Sequence, residues 1–351
     1  LKSKYQQSIS GFFYYLCTVS SVNTIKGDNR LSNMKKYILF CIITLLSISI
    51  QGQELSKDYY SVRIMPQHYF PAIPPGNYSG IANIGNGDYA VVSDKGDNEG
   101  YYIFHIDINN NGEITNITNN EFVNLNGGNL DQEAIAFNPS TNHIYIGNEG
   151  SSSIIEYDVN LKKVIRTAEI TDYKKHCIPN KSIESLAYDK TRNKLFTINE
   201  SPLIGDSCSM LRLKQLNMDL TEEKEFPYFI EKPIKPDDAP LNRHAYGVSE
   251  LLSLNDSSLL VLERELYITS IKLGSWVQNR IFRIVPGNPS KQLVCSWRTS
   301  LQLASYKFAN YEGMCLGPKL SDGRQVIILC ADSQNQYKGV LRDYFRTIIL
   351  Q

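Results

Sequence analysis

Apolar residues along the chain come in short alternating runs, broken roughly every ten residues by turn formers, a pattern that predicts strands rather than helices. The clearest stretch is YEGMCLGPKLSDGRQVIILCADSQ, Tyr311 to Gln334. Glu312 opens one apolar run, Ser321-Asp322-Gly323 makes a turn, and Val326 to Cys330 forms a second run that ends on Asp332. This reads as a strand, a turn and a strand, with a carboxylate at each open end. The figure recurs at SIESLAYDKTRNKLFTINES, with Glu184 and Glu200, and at LDQEAIAFNPSTNHIYIGNEG, with Glu133 and Glu149. A looser copy, YGVSELLSLNDSSLLVLERE, carries Glu250 and Glu263; the loosest, YSGIANIGNGDYAVVSDKGD, keeps only Asp94.

The copies repeat at roughly 50–65 residues, the length of one propeller blade. Apolar runs between them, such as Tyr101 to Ile108, Ile154 to Val159 and Arg280 to Val285, supply outer strands. If the tail that includes Arg346 to Leu350 joins the segment before Gly80, the last interval closes at a similar length. The expectation is an all-β, five-bladed β-propeller closed by N- and C-terminal strands, with room for a sixth blade between Ser201 and Gly247. Only Leu211 to Lys224 offers a helical alternative. Asn86-Gly87, Asn111-Gly112, Asn255-Asp256 and Asp322-Gly323 are hairpin signals.

In such a ring the first acid of each copy starts one strand and the second ends its antiparallel partner, so both project from one rim. The expected result is a crown of carboxylates around the axis: Glu133, Glu184, Glu250 and Glu312, with Asp94, Glu149, Glu200, Glu263 and Asp332. Converging like charges raise one another's pKa values unless cations intervene. Hard oxygen donors without a His/Cys cluster point to Ca²⁺, with Mg²⁺ or Mn²⁺ as alternatives. Lys95, Arg264, Arg243 and His244 are the basic candidates near the rim, suited to a phosphate or carboxylate substrate. The same acids could instead tie blades together by accepting backbone N–H bonds. Neither a GxSxG elbow nor a P-loop is present.

Lys plus Arg and Asp plus Glu are both 36 in 351 residues, which gives no electrostatic case for nucleic acid. Residues 1–33 read as an upstream extension. Met34, Lys35-Lys36 and the apolar run Tyr37 to Ile50, followed by Gln51-Gly52-Gln53, read as a signal peptide over 34–52, too short for a membrane span. Residues 53–75 form a lead-in and 76–351 the propeller. Export to the periplasm or outside the cell is the expectation, with no membrane anchor after cleavage. An oxidising compartment favours paired cysteines, and Cys177 and Cys208 lie in loops at the same end of one blade, a disulfide candidate.

The motifs S-I-E-S-L-A-Y-D, G-V-S-E-L-L-S-L with V-L-E-R and N-R-I-F-R-I, and Y-E-G-M-C-L-G-P with S-D-G-R resemble the phytase-like family described as esterase-like activity of phytase. The resemblance runs from about Tyr78 to the C-terminus. It implies a secreted or periplasmic propeller whose recurring acids serve phosphoester hydrolysis, carried here by Glu133, Glu184, Glu250, Glu263 and Glu312, with Asp332 at the family's final acidic step. That step reads Cys330-Ala331-Asp332-Ser333, one acid short, and the first copy has Ser79-Gly80 in place of the leading Glu.

The resulting expectation is a cation-dependent phosphoesterase. Glu200 or Glu149 would be the general base, Glu263 an acid of the centre, and Arg264 or Lys95 would neutralise a small phosphoester substrate. Two other classes stay open. One is a non-catalytic envelope-binding propeller, with Tyr246 and Tyr311 as stacking surfaces for sugars. The other is a metal-dependent lactonase, which would use Asn148 and Asn199 beside the second acids.

Overall fold

The architecture follows from the alternation: each strand pair has two apolar faces, and stacking the sheets around an axis buries both. The computed structural model describes residues 61–236, 238–303, 307–336 and 340–351. The expected upstream extension and signal peptide lie outside them. Blade one comprises Tyr78–Gly85, Asp88–Ser93, Asn98–Ile108 and Ile114–Gly128; blade two comprises Gln132–Asn138, His143–Asn148, Ser153–Asp158 and Lys163–Glu169. Blade three is Ile183–Asp189, Lys194–Asn199, Met210–Leu216 and Glu222–Phe229; blade four is His244–Ser253, Leu259–Tyr267, Trp276–Ile284 and Lys291–Ser300. Blade five takes Asn310–Lys319, Gln325–Asp332 and Tyr344–Leu350 from one end of the propeller sequence and Val62–Ile64 from the other. Every pairing is antiparallel.

The first strand of each blade lies innermost, where it packs against the first strands of both neighbours and so closes the ring. Five apolar cores fill the five gaps between blades. Between blades five and one, for example, Tyr78, Phe104 and Ile117 meet Val326, Ile328 and Phe345, all fully buried. At about 25 cal/mol per Å² of apolar surface, such repeated burial is the main favourable term.

The closing strand is stitched by Val62 opposite Leu350 and Ile64 opposite Ile348, and His68–Tyr69 adds a second pairing with Tyr344–Leu350. Part of the expected lead-in therefore belongs to the propeller. The interval from Ser201 to Gly247 holds the outer strands of blade three, so the described residues form five blades and no sixth. Leu211 to Lys224 is strand, turn and strand. Thr171–His176, which the sequence pattern did not single out, is a short helix with Tyr173 buried beneath it. Asn86 and Gly87 have φ of 56° and 82°, as a two-residue hairpin turn of this hand requires.

The Cys177–Cys208 disulfide is not formed; both are free thiols. Cys177 ends the short helix and packs against the core between blades two and three, while Cys208 is exposed in the next loop. The two side chains serve different surroundings. A non-reducing digest is expected to contain no Cys177–Cys208 cross-linked peptide, and alkylation of the folded chain should label Cys208 ahead of the buried Cys315 and Cys330. Recovery of the cross-linked peptide would contradict this packing.

Candidate functional site

All five blades share one irregularity. The register between first and second strands slips by one residue, between Tyr78 and Gly80, Gln132 and Ala134, Ile183 and Ser185, Val248 and Glu250, and Tyr311 and Gly313. A bulge of this kind frees the extra residue from the ladder and re-aims its side chain. The freed residues are Ser79, Glu133, Glu184, Ser249 and Glu312. Facing each bulge, the equivalent positions of the second strands and their ends carry Asp94, Glu149, Glu200, Arg264 and Asp332.

Blade four departs from the sequence expectation by one position. Its bulge residue is Ser249, not Glu250, and its rim residue is Arg264, not Glu263. A one-residue displacement turns a side chain to the other face. Glu263 accordingly points away from the axis, where it accepts hydrogen bonds from Tyr228 Oη (2.6 Å) and Lys291 Nζ (2.7 Å). Glu250 is buried and accepts from the N–H groups of Leu251 (2.9 Å) and Met314 (3.4 Å), the second across the gap to blade five. Glu250 thus has the blade-tying role that was the alternative reading of these acids.

The remaining rim groups meet in one cavity of about 460 Å³. Asp94, Glu133, Glu149, Glu184, Glu200 and Glu312 line it, together with Lys95, Lys181 and Arg264. Carboxylate oxygens of Asp94, Asp131 and Glu133 lie within 4.8 Å of one another, as do those of Glu149, Glu184 and Glu200. Lys181 Nζ lies 2.5 Å from Glu200 Oε2, and Lys95 Nζ pairs with Asp94 Oδ2. Arg264 donates to Glu312 Oε1, to Asn310 Oδ1 (2.8 Å) and to Glu200 Oε1 (3.4 Å). Asp94 Oδ1 is buried without a hydrogen-bond partner among the described residues.

Burial in this crowd perturbs the acids. Desolvation, then the Asp332 charge, pushes Asp94 up to about 7 although Lys95 pulls it down. Desolvation and then Glu200 raise Glu149 to about 7. Glu312 reaches about 8, chiefly through burial and despite Arg264. Burial followed by neighbouring acids holds Glu133 and Glu184 well above the usual carboxylate range. This cavity favours protons or cations at its carboxylates.

Several expected members stand elsewhere. Asp332 is fully buried just behind the wall, accepting from Gln334 N–H (2.6 Å) and Asn310 Nδ2 (3.5 Å). Arg243 and His244 do not line the cavity; His244 is buried against Glu265 (3.3 Å) and stacks on Tyr246 at 5.2 Å. Asn148 and Asn199 alternate away from the rim: Asn148 donates to Glu99 and Asn199 accepts from Arg212 N–H. Tyr311 is a core residue bonded to Gln67 and offers no sugar-stacking face, whereas Tyr246 is half-buried, with its ring stacked on His244 and its hydroxyl donating to Cys208 O. Asp131, Lys181 and Asn310 were missed. Each lies two or three residues ahead of a leading Glu, a spacing visible in D-Q-E, K-S-I-E and N-Y-E.

A model of the family described as Phytase-like, esterase-like activity of phytase, matches residues 73–334. No curated protein matches the chain. Similar solved structures include a protein from Lactobacillus plantarum, at 13% identity over 74% of this chain and 81% of that one, with TM-score 0.42. A luciferin-regenerating enzyme is 14% identical over 77% of both chains, with TM-score 0.38. A carbohydrate-active enzyme of family AA12 from Trichoderma reesei is 10% identical over 84% of this chain and 96% of that one, with TM-score 0.37.

Proposed function

The chain belongs to the phytase-like family, esterase-like activity of phytase, and from that premise we propose that it is a divalent-cation-dependent phosphoesterase acting on phosphate mono- or diesters in the axial cavity. The observation that carries this reading is the meeting of Asp94 and Glu133 from one carboxylate cluster, and Glu149, Glu184 and Glu200 from the other, with Lys95, Lys181 and Arg264 in one cavity. Asp94, Asp131 and Glu133 suit a hard cation, since all donors are oxygens and Asp94 Oδ1 has no hydrogen-bond partner among the described residues. Ca²⁺ fits this donor set, with Mg²⁺ or Mn²⁺ as alternatives. Such an ion supplies positive charge to polarise a phosphoryl oxygen.

The chain's own groups do the rest. Lys181 and Arg264 neutralise the anionic phosphate oxygens. Glu149, raised to about 7, takes a proton from the attacking water near neutral pH. Water's oxygen bonds to phosphorus, the phosphorus–oxygen bond to the alcohol breaks, and the alcohol leaves with a proton from Glu312, which near 8 is largely protonated at neutrality. Glu200, held by Lys181 and Arg264, positions those two cations.

The test is calorimetric titration of the EDTA-stripped full chain with Ca²⁺, Mg²⁺ and Mn²⁺, followed by a panel of phosphomonoesters, phosphodiesters and lactones. Binding of one cation and turnover of one phosphoester class are expected. Glu149→Gln should lower kcat by about 10²–10⁴-fold, the usual range for a general base, with the melting temperature held as a folding control. Absence of cation binding and of turnover would overturn the reading; turnover of lactones alone would move it to the lactonase class.

A further inference from the structure

Blade four is taller than its siblings. In blades one, two and three the second strand stops at Ser93, Asn148 and Asn199, immediately before the rim acid, whereas in blade four it runs through Arg264 to Tyr267. Alternate residues share a face of a strand, so Leu266 continues the line of Arg264 into the cavity and Ile268 extends it. Leu266, Ile268, Val277, Leu301, Phe308 and Leu341 pack as one apolar cluster, and all six line the same cavity as the acids. The loops that complete this wall are joined by Gly274 N–H to Leu301 O (2.9 Å) and Leu301 N–H to Ser275 O (2.8 Å). In the same loops Leu303 is 91% exposed and Ile271 77% exposed.

The cavity therefore has two unlike halves, charged groups that include Arg264 of blade four, and an apolar wall built from blade four and the segments that lead into and cross blade five. A polyol phosphate or inorganic phosphate would engage the charges and leave the wall facing water. At about 460 Å³ the enclosure is of the size that takes a small organic molecule whole.

We propose that the substrate is an amphiphile, a phosphoester whose alcohol portion is an alkyl chain or aromatic ring. Its phosphate sits toward Lys181 and Arg264 and its apolar portion lies along Leu266, Ile268 and Phe308. The reaction rests on the hydrolase reading above; the binding does not.

Calorimetric titration of the full chain, in the presence of Ca²⁺, with ethyl, butyl and hexyl phosphate separates the two. Affinity is expected to rise about threefold to fourfold per methylene, the gain for moving a methylene out of water into an apolar site. Leu266→Asn and Ile268→Asn should flatten that series. Equal affinities across the series on the unsubstituted chain would overturn the proposal, whatever the variants do. Turnover of ethyl phosphate with a flat series would leave the hydrolase reading standing without the amphiphile. A steep series without turnover of any ester would support the amphiphile site and remove the hydrolysis.

Discussion

Replacing Arg264 by Met is expected to destabilise the propeller by about 3–5 kcal/mol at pH 8, the range for removing one partner of a buried ion pair. Arg264 is the one cation at the five equivalent rim positions, and it holds Glu312, Glu200 and Asn310 together. Without it, Glu312 could ionise only as an uncompensated buried charge, and Glu200 would keep Lys181 alone as its counter-charge. The loss should shrink at pH 5.5, because Glu312, near 8 even with the arginine beside it, is protonated there in both proteins and needs no counter-charge, whereas at pH 8 about half of it is ionised in the unsubstituted chain. Urea denaturation at the two pH values checks this. A loss of equal size at both, or one below about 1 kcal/mol, as for an exposed pair, would mean that Arg264 is not the counter-charge of the ring.

In EDTA, the chain is expected to become less stable as pH rises from about 5 to 8. Folding raises Asp94 from 3.8 to about 7, Glu149 from 4.5 to about 7 and Glu312 from 4.5 to about 8. Between the unfolded and folded values the native state holds protons that the unfolded chain has released. Stability therefore falls with pH throughout that window and levels off above it. One group raised by about 3 units contributes on the order of 4 kcal/mol, and the melting temperature should drop on the order of 10 °C. Excess Ca²⁺ should restore most of the drop at pH 8 and little at pH 5, since protons and the cation compete for the same oxygens. A melting temperature in EDTA that is flat or rising across this window would contradict the shifts.

The fold was legible because its signal is periodic: alternating runs, turn pairs such as Asn86-Gly87 and Asp322-Gly323, and a repeated acid at both ends of four of the five hairpins all agree. The crown was legible wherever the motif kept its spacing, as at Glu133, Glu149, Glu184 and Glu200. It failed at blade four, where GVSE offers a Glu one residue beyond the bulge and VLER offers one a residue short of the rim. Composition cannot distinguish those neighbours; only the ladder register does, and it turns Glu250 and Glu263 out of the site while bringing Arg264 in. The disulfide failed for a different reason. Loops at the same end of a blade are near each other, but Cys177 is held by its helix and core contacts, a tertiary constraint absent from the spacing.

The closing strand also orders events during synthesis. Val62–Ile64 precedes all five blades in the chain, yet its partner Tyr344–Leu350 follows four of them and two strands of the fifth. Blades one to four contain all their own strands and can assemble as they emerge, whereas the earliest strand must wait as an unpaired edge until the end. The first strand of the propeller is the last to find its place, and a pause in translation ahead of Tyr344 would leave an open ring with two exposed edges rather than a smaller closed one.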